Sequence, residues 1–305
     1  MLAATDMETL LFTGASGFWG RNIIDHLRSE YDVTTLGLNA ADDVMSDLAL
    51  EVPVLPQHFD IVLHAAAKVH IEPKTSEEER QFYEVNFEGT KHLCSALEHM
   101  GVPKSMIFIS SVAVYGCDKG DLVTEAHPCA GMTPYAKSKI LAEDFLTQWC
   151  RSHDVVLTIL RPPLLVGKKP PGSLGEVIKG IEKGFYVNIA GGKTLRSVLM
   201  ADDIANLLPL TKDIGGVYNV CDTDCVTFAQ LSMLISKQLG RRKPLSIPYG
   251  IAKCLAVAGD CLGKKAPINS RRLTKLTNSL TFSNAKATTE LGWKPLNVVE
   301  NLKIR

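Results

Sequence analysis

Tyr135 and Lys139 lie four residues apart, directly behind Pro134, in a run where Leu141, Phe145 and Trp149 repeat every four residues. That period predicts a helix starting at Pro134, whose missing N–H suits a first helical position. Residues four apart on a helix share a face. A phenol ordinarily holds its proton to about pH 10, and a nearby ammonium favours the phenolate. The pair therefore reads as an acid/base, Tyr135, tuned by Lys139. On spacing alone the same pair is an ordinary solvated helix surface, so the surrounding elements must settle its meaning. Upstream, Ser110 and Ser111 follow the apolar run Met106–Ile109. A hydroxyl leaving a parallel strand at its carboxyl end stands at the crevice where such sheets bind ligands.

Thr9–Thr13 reads as a short apolar strand, and Ile23, Ile24 and Leu27 mark an amphipathic helix after it. Between them runs Thr13-Gly14-Ala15-Ser16-Gly17-Phe18-Trp19-Gly20. Strand, glycine turn and helix in this order suit a dinucleotide: the backbone approaches the pyrophosphate, whose charge meets the free N–H groups of the helix start. The expected cofactor contacts here are Gly14, Ser16, Gly17, Phe18, Trp19 and Gly20. The second strand, Val33–Leu36, ends in Gly37-Leu38-Asn39, with no acidic residue for the adenosine ribose and no arginine for a 2′-phosphate. Asn39 could bond a ribose hydroxyl, which favours NAD over NADP, and Asp47 and Leu48 are expected beside the adenine.

Ile61-Val62-Leu63 reads as a buried strand running into His64-Ala65-Ala66-Ala67. Small residues at a strand end let a cofactor lie against the backbone, so Ala65, Ala66 and Ala67 join the expected set. His64 reads as a structural histidine. The next helix sets Phe82, Val85, Gly89, Leu93 and Leu97 on its core face, with Asn86 among them as either a structural tie or a cofactor contact. A strand at Val155–Leu160 leads into Arg161-Pro162-Pro163, where Pro162 is a further expected cofactor contact. Strands alternating with helices argue an α/β fold with a doubly wound parallel sheet, Rossmann-type, over residues 1–166. Residues 167–305 read as a smaller C-terminal substrate lobe with segments returning to the sheet. Strands are expected at Leu195–Leu199 and Val217–Val220, and a helix at Phe228–Leu239 ended by Gly240, with an irregular region after it.

The 305 residues carry 33 basic and 33 acidic side chains, so net charge makes no case for nucleic acid or for an anionic membrane surface. Ile251–Ala258 is far short of the roughly 20 residues of a membrane span and contains Lys253. The N-terminus shows no signal peptide, and the eight cysteines are scattered without a ligand cluster. A cytoplasmic protein with reduced thiols and no metal is the expectation.

Together these residues resemble the extended short-chain dehydrogenase/reductases, in the nucleotide-sugar epimerase, dehydratase and ketoreductase branch. The resemblance rests on Thr13-Gly14-x-x-Gly17-x-x-Gly20, His64-Ala65-Ala66-Ala67, Val85-Asn86 with Gly89-Thr90, and Ser110-Ser111-x-x-Val114-Tyr115-Gly116. It continues through Tyr135-x-x-x-Lys139, Leu160-Arg161-Pro162 and Leu291-Gly292-Trp293. It implies an NAD(P)-dependent enzyme acting on a nucleotide-diphosphate sugar. Tyr135 would exchange a proton with a sugar oxygen, Lys139 would bond the nicotinamide ribose, and Ser111 would hold the reacting oxygen. Arg196, and Arg271 or Arg272, would contact the substrate diphosphate, which a guanidinium fork suits. The family also implies a homodimer built on the Tyr135 helix, and the stretch Lys193–Leu207 is similar to enzymes of bacterial polysaccharide pathways.

Departures from the family narrow the chemistry. Val112-Ala113 stand where 4,6-dehydratases place an Asp-Glu pair, and Cys117 is displaced from the cysteine of the 3,5-epimerising reductases. A 4-epimerase or a 4-ketoreductase is left. Two other readings share the motifs: an oxidoreductase of the 3β-hydroxysteroid or flavanonol type, and a non-catalytic dinucleotide-sensing regulator.

Overall fold

The computed structural model describes residues 7–69, 73–262 and 268–304. In chain order its strands are β1 (Thr9–Thr13), β2 (Asp32–Gly37), β3 (Val44–Met45), β4 (Ile61–His64), β5 (Ser105–Ile109), β6 (Gly120–Val123), β7 (Val156–Arg161) and β8 (Leu164–Val166). They continue as β9 (Val187–Ile189), β10 (Leu195–Arg196), β11 (Val198–Met200), β12 (Gly216–Asn219), β13 (Val226–Thr227), β14 (Leu245–Ile247) and β15 (Leu280–Phe282). The helices that matter below are α1 (Phe18–Glu30), α2 (Ser76–Tyr83), α3 (Gly89–Met100), α4 (Pro134–Ser152), α5 (Gly172–Glu182), α6 (Asp202–Thr211), α7 (Phe228–Gln238), α8 (Tyr249–Leu262) and α9 (Ser270–Thr277).

Seven strands form one sheet in the order β12-β7-β5-β4-β1-β2-β3, every pairing parallel. Strand order reverses beside β1, which opens a crevice at the strands' carboxyl ends. Side chains alternate across a strand. Leu10 and Phe12 accordingly join one core with Ile61, Leu63, Ile107 and Ile109, covered by α1 and α6. Leu11 joins the other with Val62, Met106 and Phe108, covered by α3 and α4. This is the expected three-layer α/β architecture. The second half returns to it: β12 is the sheet's edge, and Leu199, Leu207, Tyr218 and Trp293 lie in the first core. A smaller core, including Val166, Leu174, Ile181, Val198, Leu231, Ile235 and Val298, lies outside the sheet.

Helix α4 starts at Pro134, as expected, and packs through Ala142, Leu146, Trp149 and Cys150, with Leu141 exposed. Two local expectations need correction. The helix expected through Asn86 is two α-helices joined by a π-turn over Glu84–Glu88. Asn86 is buried, as its place on the core face implied, whereas the wider turn leaves Val85 half-buried. The region expected to be irregular after Gly240 contains α8 and α9.

Candidate functional site

At the carboxyl ends of the sheet strands lies a cavity of about 580 Å³. Its wall at one side is the turn between β1 and α1, and Gly14, Ser16, Gly17, Phe18 and Trp19 all line it. Gly14 has φ +78°, and a Cβ there would lie 2.7 Å from the backbone nitrogen of Ala66. Only glycine lets this turn close onto the end of β4, where Ala65, Ala66 and Ala67 also line the cavity. Gly17 is the N-cap of α1, so no side chain caps the first N–H groups, and the first turn holds no acidic residue. An uncapped helix start facing a cavity is an anion site by geometry. Gly20 is buried and does not line the cavity; a Cβ there would sit 1.4 Å from the Ala15 carbonyl oxygen. Its role is packing α1 against the turn, which corrects the expectation of a cofactor contact.

Asn39, Asp47 and Leu48 line the next stretch of wall. Here the sequence was misleading: a carboxylate does stand at the end of β2. The chain turns back so that Asp42 Oδ2 accepts from the Asn39 N–H at 3.0 Å, and a Cβ on Gly37 would meet that oxygen at 2.4 Å. The signal is the glycine that makes room for it. Asp47 caps its own turn, accepting from the Ala49 N–H at 2.9 Å.

Asn86 does not reach the cavity. Its Oδ1 accepts from the Lys68 N–H at 2.7 Å, and its Nδ2 donates to the Lys68 carbonyl and to Ser138 Oγ at 2.9 Å. A buried amide must fill all its bonds, and this one does so as a tie between the π-turn and α4. His64 is structural, as expected. Thr90 Oγ1 donates to the Asn86 carbonyl, so it accepts from His64 Nε2, and Nδ1 then accepts from Thr13 Oγ1 at 2.7 Å. Burial first, and the Lys139 charge second, push its pKa down to about 3, which keeps it neutral.

Ser111, Tyr135, Lys139 and Pro162 line the far side. Thr133 caps α4 by accepting from the Ala136 N–H at 3.2 Å, with Pro134 behind it, so Tyr135 and Lys139 occupy the helix's first turns. Burial pushes the Tyr135 phenol up to about 12, opposed by a hydrogen bond with Ser111. Lys139 is fully buried; its Nζ donates to the Ile109 carbonyl at 2.8 Å and lies 4.4 Å from the Phe108 ring centre. Burial lowers its pKa to about 7, with Glu143 pulling the other way. Burial is the first cause at both groups.

Behind this wall sits a network not anticipated as part of the site. Glu143, one turn after Lys139, accepts from Ser110 Oγ and from Arg161 Nε at 3.1 Å and Nη2 at 2.5 Å. Arg161 Nη1 donates to Tyr115 Oη at 3.1 Å, which donates to Asn219 Oδ1 at 2.7 Å. The sequence clue was the Lys139–Glu143 spacing on α4.

The three arginines expected at a diphosphate lie outside the lining of this cavity. Arg196 stacks 5.3 Å from the Phe228 ring centre and donates to the carbonyls of Leu195, Lys275 and Asn278, so it caps the carboxyl end of α9. Arg271 and Arg272 are exposed in the first turn of α9. None of the three lines the cavity. Cys117 Sγ lies 3.3 Å from His127 Nε2, also away from it. Among the described residues no cluster of His, Cys, Asp or Glu could hold a metal.

Comparison with known proteins fits this arrangement. A UDP-glucose 4-epimerase of Thermotoga maritima, solved with UDP-glucose, superposes with a TM-score of 0.72 at 21% identity, over 97% of this chain and 96% of its own. An N-acetyl-α-D-glucosaminyl-diphospho-ditrans,octacis-undecaprenol 4-epimerase of Escherichia coli O157:H7 is 26% identical over 92% of this chain and 88% of its own length. A UDP-glucose 4-epimerase of Vibrio cholerae is also 26% identical, over 94% and 91%. The sequence model of one family spans residues 10–221, the whole stretch that carries the glycine turn, Ser111, Tyr135, Lys139 and the last strand of the sheet. This chain is a member of the NAD dependent epimerase/dehydratase family.

Proposed function

We propose that this protein is an NAD-dependent 4-epimerase acting on a sugar carried by a diphosphate. The observation that carries the reading is one cavity with two ends: an uncapped helix start behind a glycine turn, and Ser111 with Tyr135 and Lys139. The first end fits a dinucleotide. Gly14, Ser16 and Gly17 would take its pyrophosphate, Asn39 its adenosine ribose, and Asp47 and Leu48 its adenine side. The carboxylate of Asp42 at the end of β2 supports NAD over NADP, since it would repel a 2′-phosphate. Bound there, the nicotinamide supplies hydride transfer.

The chain's own residues supply the rest. Tyr135, as its phenolate, would take the proton of the sugar hydroxyl and return it, and Ser111 Oγ would hold the same oxygen in line. Lys139 has its Nζ at the carboxyl end of β5, where it is set to bond a ribose hydroxyl. The Glu143–Arg161–Tyr115 network keeps α4 at a fixed height against β5 and β7. Val112 and Ala113 next to Ser111 have only hydrocarbon side chains, so no group there eliminates water. The lobe beyond residue 166 would receive the diphosphate carrier.

Relatives named for UDP-glucose support a nucleotide carrier. A polyprenyl-diphosphate carrier is a second reading, favoured by the Escherichia coli relative and by the turning of Arg196 onto α9. The test is to denature the purified protein in the cold, count released NAD, and assay 4-epimerisation of UDP-sugars and of polyprenyl-diphosphate sugars. Near one NAD per chain with epimerisation supports the reading. A chain that takes up cofactor only to reduce a 4-keto sugar once would replace it with a ketoreductase.

A further inference from the structure

Helix α8 is attached to the protein by one narrow side. Ala252 and Ala256 are fully buried against Ile189, Ile247, Ile268 and Leu273, and Gly259 is buried one turn on. At 3.6 residues per turn these three positions cover about 60° of the helix. The opposite side carries Gly250, Ile251, Cys254, Leu255, Val257, Ala258 and Cys261, all exposed, across about 160° with no polar side chain among them. Ile251, Leu255 and Val257 each keep more than half their surface in water (53%, 52% and 53%). The two charged residues of the helix, Lys253 and Asp260, lie together along one edge of the buried side. On β14, which packs beneath α8, Leu245 is exposed, as is its register partner Val187 on β9. A contiguous bare apolar face of this width marks a surface that meets something other than water.

The charge around it says what. The whole chain balances 33 basic against 33 acidic residues. Over residues 237–262 and 268–276 the balance is gone: eight Lys or Arg stand against Asp260 alone, and all eight are exposed. They include Arg241, Arg242 and Lys243 before β14, Lys253 on α8, and Lys275 on α9. We propose that α8 and this cationic rim dock the protein on an anionic phospholipid bilayer, with the apolar face at the headgroup–acyl boundary and the rim on the headgroups. Fourteen residues make a helix about 21 Å long, which lies in the interface. No helix among the described residues is long and apolar enough to cross a membrane. A second copy of the chain fits this surface poorly, since a two-fold contact sets the same cationic rim against itself. The overall neutrality that argued against a membrane conceals this local asymmetry. The docking surface stands whichever carrier brings the sugar.

The test is flotation of the full chain with phosphatidylcholine vesicles, with and without about 30% phosphatidylglycerol. Binding should be at least about tenfold stronger to the anionic vesicles and should fall as salt rises from about 0.1 M to 1 M. The double substitution Ile251→Glu with Leu255→Glu should cut binding about tenfold or more, with the melting curve and turnover of a soluble UDP-sugar unchanged. Replacing Arg241, Arg242 and Lys243 by Ala should remove most of the preference for anionic lipid. Failure to float with anionic vesicles, or flotation that survives the two glutamates, overturns the proposal. So does a concentration-dependent dimer that those glutamates dissolve. None of these readouts depends on catalysis, so an error in the reaction assigned above would leave them intact.

Discussion

Arg161 and Arg196 both stand at the end of a strand, the first buried and the second half-buried, and they are held by different things. Arg161, at the end of β7, meets the carboxylate of Glu143 and the hydroxyl of Tyr115, inside the wall that carries Lys139. Arg196, at the end of β10, meets the Phe228 ring and three backbone carbonyls. A guanidinium paired with a buried carboxylate cannot move without leaving a bare charge in a low dielectric. One held by carbonyl dipoles at a helix end gives up less when it leaves. The sheet half of the molecule is thus built as a fixed wall on an ion pair, whereas the lobe holds its cation by backbone carbonyls and one ring.

The largest test of that contrast is Glu143→Gln. It keeps the shape and removes the charge that balances Arg161, and should cost about 3–5 kcal/mol in denaturant unfolding. A loss below about 1 kcal/mol would mean that the network is not the wall's support. Next is Tyr135→Phe, which removes the proton-transfer group while leaving the ring against Phe82, 6.3 Å away between centres. Turnover should fall about a hundredfold or more, with the unfolding midpoint within error of the parent. Comparable losses of activity and stability would make Tyr135 a packing residue and move the chemistry elsewhere.

These two residues also mark where sequence reasoning reaches. Parallel strands deliver whatever follows them to one edge of the sheet, so Gly14, Ala65, Ser111 and Pro162 could be placed from short motifs and chain order alone. Tyr135 and Lys139 followed from a proline and a four-residue spacing. The misses share a cause: they depend on which way a side chain turns within packing that spacing does not encode. Asn86 was placed on the core face, but its partners Lys68 and Ser138 come from distant segments, and Asp42 reaches the end of β2 by a turn that Gly37 leaves room for. Arg196 lies on a strand of two residues, where the neighbouring α9 offers its end carbonyls to the guanidinium. Net charge is blind in the same way, because a sum over the chain says nothing about which surface holds the positive part.

The perch of Arg196 is tested by Arg196→Leu. If its work is capping α9, stability should fall by about 2 kcal/mol, the value of charged hydrogen bonds partly open to water. KM for the sugar substrate should then change less than about threefold, since a lost diphosphate contact would cost tenfold or more. A large rise in KM with unchanged stability would show that the arginine leaves the helix end when substrate arrives, and would restore the clamp implied by the family.

The smallest effect concerns Lys139, whose pKa burial lowers to about 7 from an unfolded value near 10.4. Between those values the unfolded chain holds a proton at this side chain that the folded chain has released, so stability rises with pH through the window. Below about pH 7 both states are protonated and the cost of burying the ammonium is at its full value. Lys139→Met, which cannot titrate, should therefore gain most over the parent below pH 7, and that advantage should shrink by about 1 kcal/mol between pH 7 and pH 8. Urea midpoints of the two proteins across that interval measure it. Parallel pH profiles would mean that the lysine stays charged in the folded protein, held by Glu143 more strongly than burial opposes it, and the wall behind the cavity would then be an ion-paired cluster of all three side chains.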